Sequence, residues 1–186
     1  MIDTLLADSL QDAVIKRGGD MMEATGFYKA KCFGADGVEK WSDDIENIVT
    51  TEGKTALLER GLAGSAYTAA CYMGLIASGS APVIGDTLAS HSGWVEAGSN
   101  APLYTARLPL VWSAAAGGVK STSSTCDFTV ITTGGTAKGC MVVFDSATSV
   151  NGNTTGKLYS AGFFSGGDKV LAVGDILQVT YSTTLS

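Results

Sequence analysis

Residues 176–186 read ILQVTYSTTLS, and within them LQVTYS (177–182) alternates apolar and polar side chains at a period of two. In an extended chain that period sends successive side chains to opposite faces, one of which can be buried. CDFTVI (126–131) repeats the alternation. Between Leu103 and residue 186 such runs recur at short intervals: TARLPLVWSA, STCDFTVIT, GCMVVFDSA, GKLYSAGFF, KVLAVG and ILQVTYSTTLS, separated by Gly, Ser, Asn and Thr. NGN at 151–153 reads as a primed turn. Many short strands with Gly-rich punctuation predict an antiparallel β-sandwich or jelly-roll, because each sheet must bury one face against another.

Upstream, AYTAACYMGLIAS (66–78) lies between Gly64-Ser65 and Ser78-Gly79 and is rich in small and aromatic residues. It reads as a buried strand, or two, rather than a helix. TTEGKTALLERG (50–61) predicts a short helix with Thr50 or Thr51 at its cap and Gly61 at its end. In GFYKAKCF (26–33), Tyr28, Ala30 and Cys32 alternate with Phe27, Lys29 and Lys31. GADG then predicts a turn into VEKWSDDIENIV (38–49), the charged second arm of a hairpin.

In MIDTLLADSLQDAVIKRGG (1–19), Ile2, Leu5, Leu6, Leu10, Ala13 and Val14 recur at helical spacing. Asp3 or Thr4 can cap this helix and Gly18-Gly19 ends it. Alone in water such a helix is marginal, so its apolar stripe must dock, and a neighbouring subunit is the expected partner. Ile2, Leu5, Leu6, Leu10 and Val14 are therefore candidate interaction residues. The chain divides into a helical arm (1–25) and a sandwich domain (26–186); a finer division makes 26–65 an α+β lead-in to a 66–186 sandwich.

The 186 residues include 24 glycines and only 3 prolines, with 45% hydrophobic and 16% charged residues, a balance that argues against disorder. Residues 1–65 hold 7 basic and 12 acidic side chains against 5 and 6 thereafter, so the strand-rich remainder is nearly neutral. A net charge of −6 with no basic cluster makes nucleic acid an unexpected partner. Neither a signal-peptide pattern nor an apolar run of bilayer length is present, so the expectation is a soluble protein made in the cytoplasm.

Several residues invite a chemical reading. GDTLASHSGW (85–94) holds His91, the single histidine, between Ser90 and Ser92 and beside Trp94. A hydrolase would need a serine elbow and an orienting carboxylate. No G-x-S-x-G occurs, and Asp86 reaches the ring only if the loop folds back. The stretch reads as a loop that fixes the approach of Trp94 to the sandwich, with a solvated or backbone-bonded His91. Asp36 with Glu39, and Asp43-Asp44 with Glu46, read as a solvated strand edge rather than a glycosidase pair. GGD (166–168) and GD (174–175) lack the spacing of a calcium loop. Cys32, Cys71, Cys126 and Cys140 form no zinc pattern and read as buried free thiols. VIGDTL (83–88) and AVGDILQVTY (172–181) share Gly-Asp before an apolar residue, an echo of turn chemistry. Trp41, Trp94, Trp112, Phe163 and Phe164 read as core or interface anchors. The expectation is a protein that is not an enzyme and has no cofactor and no metal.

Three blocks together resemble a family of tailed-bacteriophage proteins encoded among head genes. They are FYKAKCFGADGVEKWSDDIENIVTTEGKTALLERGLAGSAYTAACYMGLIASG (27–79), GDTLASHSGWVE (85–96) and GKLYSAGFFSGGDKVLAVGDILQVTYSTTLS (156–186). The resemblance implies a virion structural protein, and for this size and strand content a capsid decoration, or cement, protein. Its implied partners are the major capsid protein and copies of itself, as a trimer or dimer on the capsid surface. The alternative is a head-fibre, connector or tail component binding the host surface, with Trp94 and Tyr104 as its contacts. The N-terminal helix and the strand after it are the candidate bridging arm.

Overall fold

The computed structural model describes residues 23–186, apart from positions 67, 69 and 147. The expected N-terminal helix, with Ile2, Leu5, Leu6, Leu10 and Val14, lies outside the described residues. The described chain is mainly β, with antiparallel sheets and one helix, arranged as a β-sandwich.

The first sheet is built on the stretch that opened the reading. β1 (Ala24–Phe33) and β13 (Ile176–Leu185) pair along their full lengths, from Ala24↔Leu185 to Phe33↔Ile176. Tyr28, Ala30 and Cys32 of β1 face inward beside Tyr181, Val179 and Leu177 of β13, all buried. β2 (Glu39–Glu46) forms one edge, joined to β1 by a turn in which Gly37 takes φ +76. β7 (Val119–Ser121) and β8 (Cys126–Thr129) share the other side of β13. β1 is thus an interior strand of its own sandwich, which corrects its expected part in a bridging arm.

The second sheet runs β3 (Ile48–Val49), β11 (Lys157–Phe163), β10 (Gly139–Phe144), β4 (Cys71–Gly79), β5 (Trp94–Glu96), with β6 (Leu108–Pro109) also on β4. A separate pair joins β9 (Gly135–Ala137) to β12 (Lys169–Leu171). Residues 26–65 thus feed both sheets rather than preceding the sandwich. Between the sheets lie Met73, Leu75 and Ala77 of β4, Cys140, Val142 and Phe144 of β10, and the inward residues of β1 and β13. A buried hydrogen bond of 2.6 Å between the Tyr28 hydroxyl and Ser160 Oγ crosses this core.

The other face of the second sheet is also apolar. Ile76, Met141, Val143, Leu158 and Ala161 form a second buried cluster with Leu88 and Trp94. All six residues of β10 are therefore buried, which is why GCMVVF is continuously apolar instead of alternating. The loop from Ser80 to Gly93 covers this outer face.

The helix α1 (Thr51–Leu62) anchors that cover. Thr50 is its N-cap, accepting from Gly53 N at 3.0 Å while its own hydroxyl donates to Leu158 O. A Cβ on Gly53 would stand 2.7 Å from Tyr159 O, so glycine lets the helix lie directly on β11. Glu52 Oε2 accepts from Leu88 N (2.9 Å) and Leu158 N (2.8 Å), clamping loop to sheet. The helix passes through Gly61 to Leu62; Gly64, at φ +65, supplies the left-handed turn expected of Gly61. Within NGN, Gly152 alone takes positive φ, so this turn is of type II and lies inside the long β10–β11 loop rather than closing a hairpin.

Beside the covered face lies a buried ion pair that has no counterpart in the sequence reading. Arg107, 1% exposed, donates from Nε and Nη2 to both carboxylate oxygens of Glu96, each at 2.7 Å. Arg107 Nη2 also donates to Asn153 O, and Glu96 Oε2 accepts from Gly152 N, so the pair holds the 145–156 loop down. Gly74 beneath it is closely packed: a Cβ would stand 2.8 Å from Met141 Cε and 3.2 Å from Glu96 Oε1, so a side chain there would displace the methionine tip. Removing one partner leaves the other charge buried, so Glu96→Ala and Arg107→Ala are each expected to cost about 3–5 kcal/mol in urea unfolding. The double variant is expected to cost clearly less than the sum.

Candidate functional site

His91 lies near the end of the Ser80–Gly93 cover, and its ring is committed. It stacks on the Trp94 indole, centroids 3.8 Å apart and planes 16° off parallel. Its Nδ1 lies 3.2 Å from Trp94 O; a carbonyl can only accept, so Nδ1 carries the proton in this contact. The loop does fold back, but Asp86 serves Trp94 rather than His91: its Oδ2 accepts from Trp94 Nε1 at 2.8 Å and from Val83 N at 3.0 Å. The histidine is backbone-bonded and half-buried, and it braces the indole.

Trp94 is 2% exposed and Tyr104 4%. The Tyr104 hydroxyl accepts from Leu75 N at 3.0 Å, its ring meets Phe128 edge-on, and burial pushes its pKa well up. Neither ring presents a face to solvent, which corrects their reading as contacts to the host surface. Both are amphipathic aromatics that bury the ring and satisfy the polar tip internally. Around His91 lies a groove of about 450 Å³ bordered by Ser90, Ser92, Ser99, Asn100 and Thr154. Glu96, at its floor, is already bonded to Arg107 and Gly152.

Of the carboxylates singled out in the sequence, Asp36, Glu39, Asp44 and Glu46 are exposed along the edge as expected, whereas Asp43 and Asp175 are engaged. Asp43 points inward from the edge strand β2, pairing with Lys169 Nζ at 2.6 Å and accepting from Ser165 Oγ and Gly166 N. It is not the solvated edge residue expected, although an inward charge on an edge strand does discourage stray pairing. Asp175 accepts from Lys40 Nζ (2.6 Å) and Ala172 N (2.8 Å). Its bond to Ala172 matches that of Asp86 to Val83: in both GD turns the aspartate reaches back three residues. The echo is shared turn chemistry, made to the preceding rather than the following N–H.

The cysteines are free thiols, with Cys32, Cys126 and Cys140 buried and Cys71 half-buried. Burial raises all four, Cys32 and Cys126 to about 11, so none is a thiolate at neutral pH.

Two surface features were not legible beforehand. At the end of the sandwich where β1 turns into β2 and residues 172–175 lead into β13, large apolar side chains face outward. They are Val38, Ile131, Val170 (71% exposed) and Val173. Cross-bonds between Val130 and residues 174–175 bring these turns together. At the opposite end an apolar cleft of about 330 Å³ opens between the sheets, lined by Leu57, Cys71, Trp112, Val142, Phe144 and Tyr159. Arg60, Lys120, Thr68 and Thr183 complete its wall.

No protein-family model matches the chain, and no curated protein is significantly similar to it.

The geometry makes Trp94 architectural. Trp94→Ala is expected to cost about 3–5 kcal/mol, seen as a lower urea midpoint at unchanged slope. Asp43 gives a pH signature. Burial pushes its carboxyl up, but Lys169, Ser165 and the N–H groups of Gly166 and Asp44 outweigh this and hold it below the usual aspartate value. A lowered folded pKa contributes stability that is present above the unfolded value of about 3.9 and is lost as pH falls through the folded value. Asp43→Asn is therefore expected to be less stable near neutrality, and its urea midpoint should converge on that of the parent as the pH is lowered below about 4.

Proposed function

We propose that this protein is a structural protein of a tailed-phage virion, and within it a capsid decoration protein that bridges major capsid protein subunits. The observation that carries this reading is the division of the molecule's chemistry. The histidine and the carboxylates of Asp43, Glu52, Asp86, Glu96 and Asp175 are spent on holding loops, while Val38, Ile131, Val170 and Val173, four of the exposed large apolar side chains, stand outward at one end. Apolar side chains held on a stiff sheet scaffold suit contact with a repeating protein surface. Each Å² removed from water there contributes about 25 cal/mol. The resemblance of the three sequence blocks points the same way. The reading as a host-binding module loses the two aromatic contacts it named, since Trp94 and Tyr104 are covered.

Bridging assigns the outward valines a task. Purified protein is expected to bind matching shells at a fixed ratio to the major capsid protein and to raise their temperature of disruption, measured by sedimentation and light scattering. Val170→Asp with Val173→Asp replaces exposed side chains, so folding stability should change by no more than about 0.5 kcal/mol per site. The same pair should abolish shell binding. Wild-type protein that neither binds shells nor stabilises them would overturn the proposal, as would a virion content of a few copies by quantitative mass spectrometry.

A further inference from the structure

The cleft at the other end has no occupant among the described residues, and its position and chemistry indicate one. We propose that it seats the chain's own N-terminal segment, residues 1–22, with Leu5, Leu6 and Leu10 as the side chains that enter it. This seat is independent of the decoration role.

The first argument is position. Thr183 in the cleft wall pairs with Gly26 of β1 on one side, and with Lys120, also in the wall, on the other. Glu23, where the described chain starts, exchanges two backbone hydrogen bonds with Ser186, at 2.7 and 3.0 Å. Three residues of strand, about 10 Å, therefore separate that point from the cleft wall. Through its bond to Glu23 the segment 1–22 is tethered beside the opening, and the Gly18-Gly19 pair permits a reversal of chain direction.

The second argument is size and polarity. A cavity of about 150 Å³ holds one six-carbon benzene, so this cleft has room for about three of the smaller, four-carbon leucine side chains. Its lining is hydrophobic and aromatic, and the two charged residues in its wall, Arg60 and Lys120, are both basic. Arg60 pairs with Asp145, and Lys120 Nζ lies 5.9 Å from the Trp112 ring centre while donating to Ser113 O. The segment offers the complement: an apolar stripe of Ile2, Leu5, Leu6, Leu10 and Val14, interleaved with Asp3, Asp8 and Asp12.

Cys71 makes the test direct, because it lines the cleft while the other three thiols are buried. The full-length protein is treated with iodoacetamide at about pH 8.5, near the ordinary thiol value, and modification of Cys71 is followed by peptide mass spectrometry. Leu5→Asp with Leu6→Asp lies outside the sandwich core and is expected to speed that modification at least about tenfold, as loss of two buried leucines should. Equal rates in the two proteins would overturn the seat. Separately, Leu6→Cys is oxidised in dilute solution. A disulfide to Cys71 within one chain is the expected product; no bond to Cys71, or one joining two chains, would overturn the assignment to the chain's own segment.

Discussion

The second sheet is apolar on both faces, and much of the remaining structure answers that constraint. Its inner face meets the first sheet, as in any sandwich. Its outer face carries Ile76, Met141, Val143, Leu158 and Ala161 and, among the described residues, meets a loop rather than a third sheet. An irregular loop must cover it, and a loop brings backbone N–H groups that no ladder satisfies. Side-chain carboxylates take that role. Glu52 accepts from Leu88 and Leu158, Asp86 from Val83, and Glu96 from Gly152. Asp43, Asp145 and Asp175 do the same at Gly166, Thr68 and Ala172. The acidic surplus of this sparsely charged chain thus includes a set of internal fasteners, each made stronger by its charge.

This use of carboxylates decides how the cover is held. Leu88 and Trp94 supply the apolar contact, which has no preferred direction. Asp86 and His91 then fix the indole: one accepts from its N–H, and the other lies flat against the ring and binds its backbone carbonyl. A loop held by burial alone could shift across the sheet; one held also at the indole nitrogen cannot shift without stranding a buried carboxylate. The Glu96–Arg107 pair does the same for the 145–156 loop, with the added constraint that both charges are buried and must stay together.

Much of this was readable in the sequence where physics is local. The alternation in LQVTYS and CDFTVI, the strand in GKLYSAGFF, the start of the strand in KVLAVG, and the Thr50 cap all correspond to observed elements, because a period or a cap is decided by near neighbours; the end of KVLAVG is a turn instead. The apolar run CYMGLIA marked its strand as interior but did not say what would cover it. That depends on a loop closing over the sheet. Arg107 was the one available clue to the ion pair, a lone charge in the otherwise apolar TARLPLVW, yet its partner lies across the loop at Glu96. Asp43 looked like any edge charge until Lys169 arrived from a strand more than a hundred residues later. Sequence patterns rank residues by type; they do not show which charges will meet.

The two ends of the sandwich differ in a way that follows from its chain path. One end is closed by short turns, Gly34–Val38 and Ala172–Asp175, packed so tightly that a Cβ on Gly174 would stand 3.0 Å from that of Ala35. Side chains such as Val38 and Val173 on these turns face water. The other end receives the start of β1 and the finish of β13, where the sheets part around Tyr159, Phe144 and Trp112 and leave the cleft. Apolar side chains therefore point outward at the closed end and line a cleft at the open one. A cleft is filled most readily by chain already tethered beside it, since tethering removes much of the entropy cost of bringing the two together.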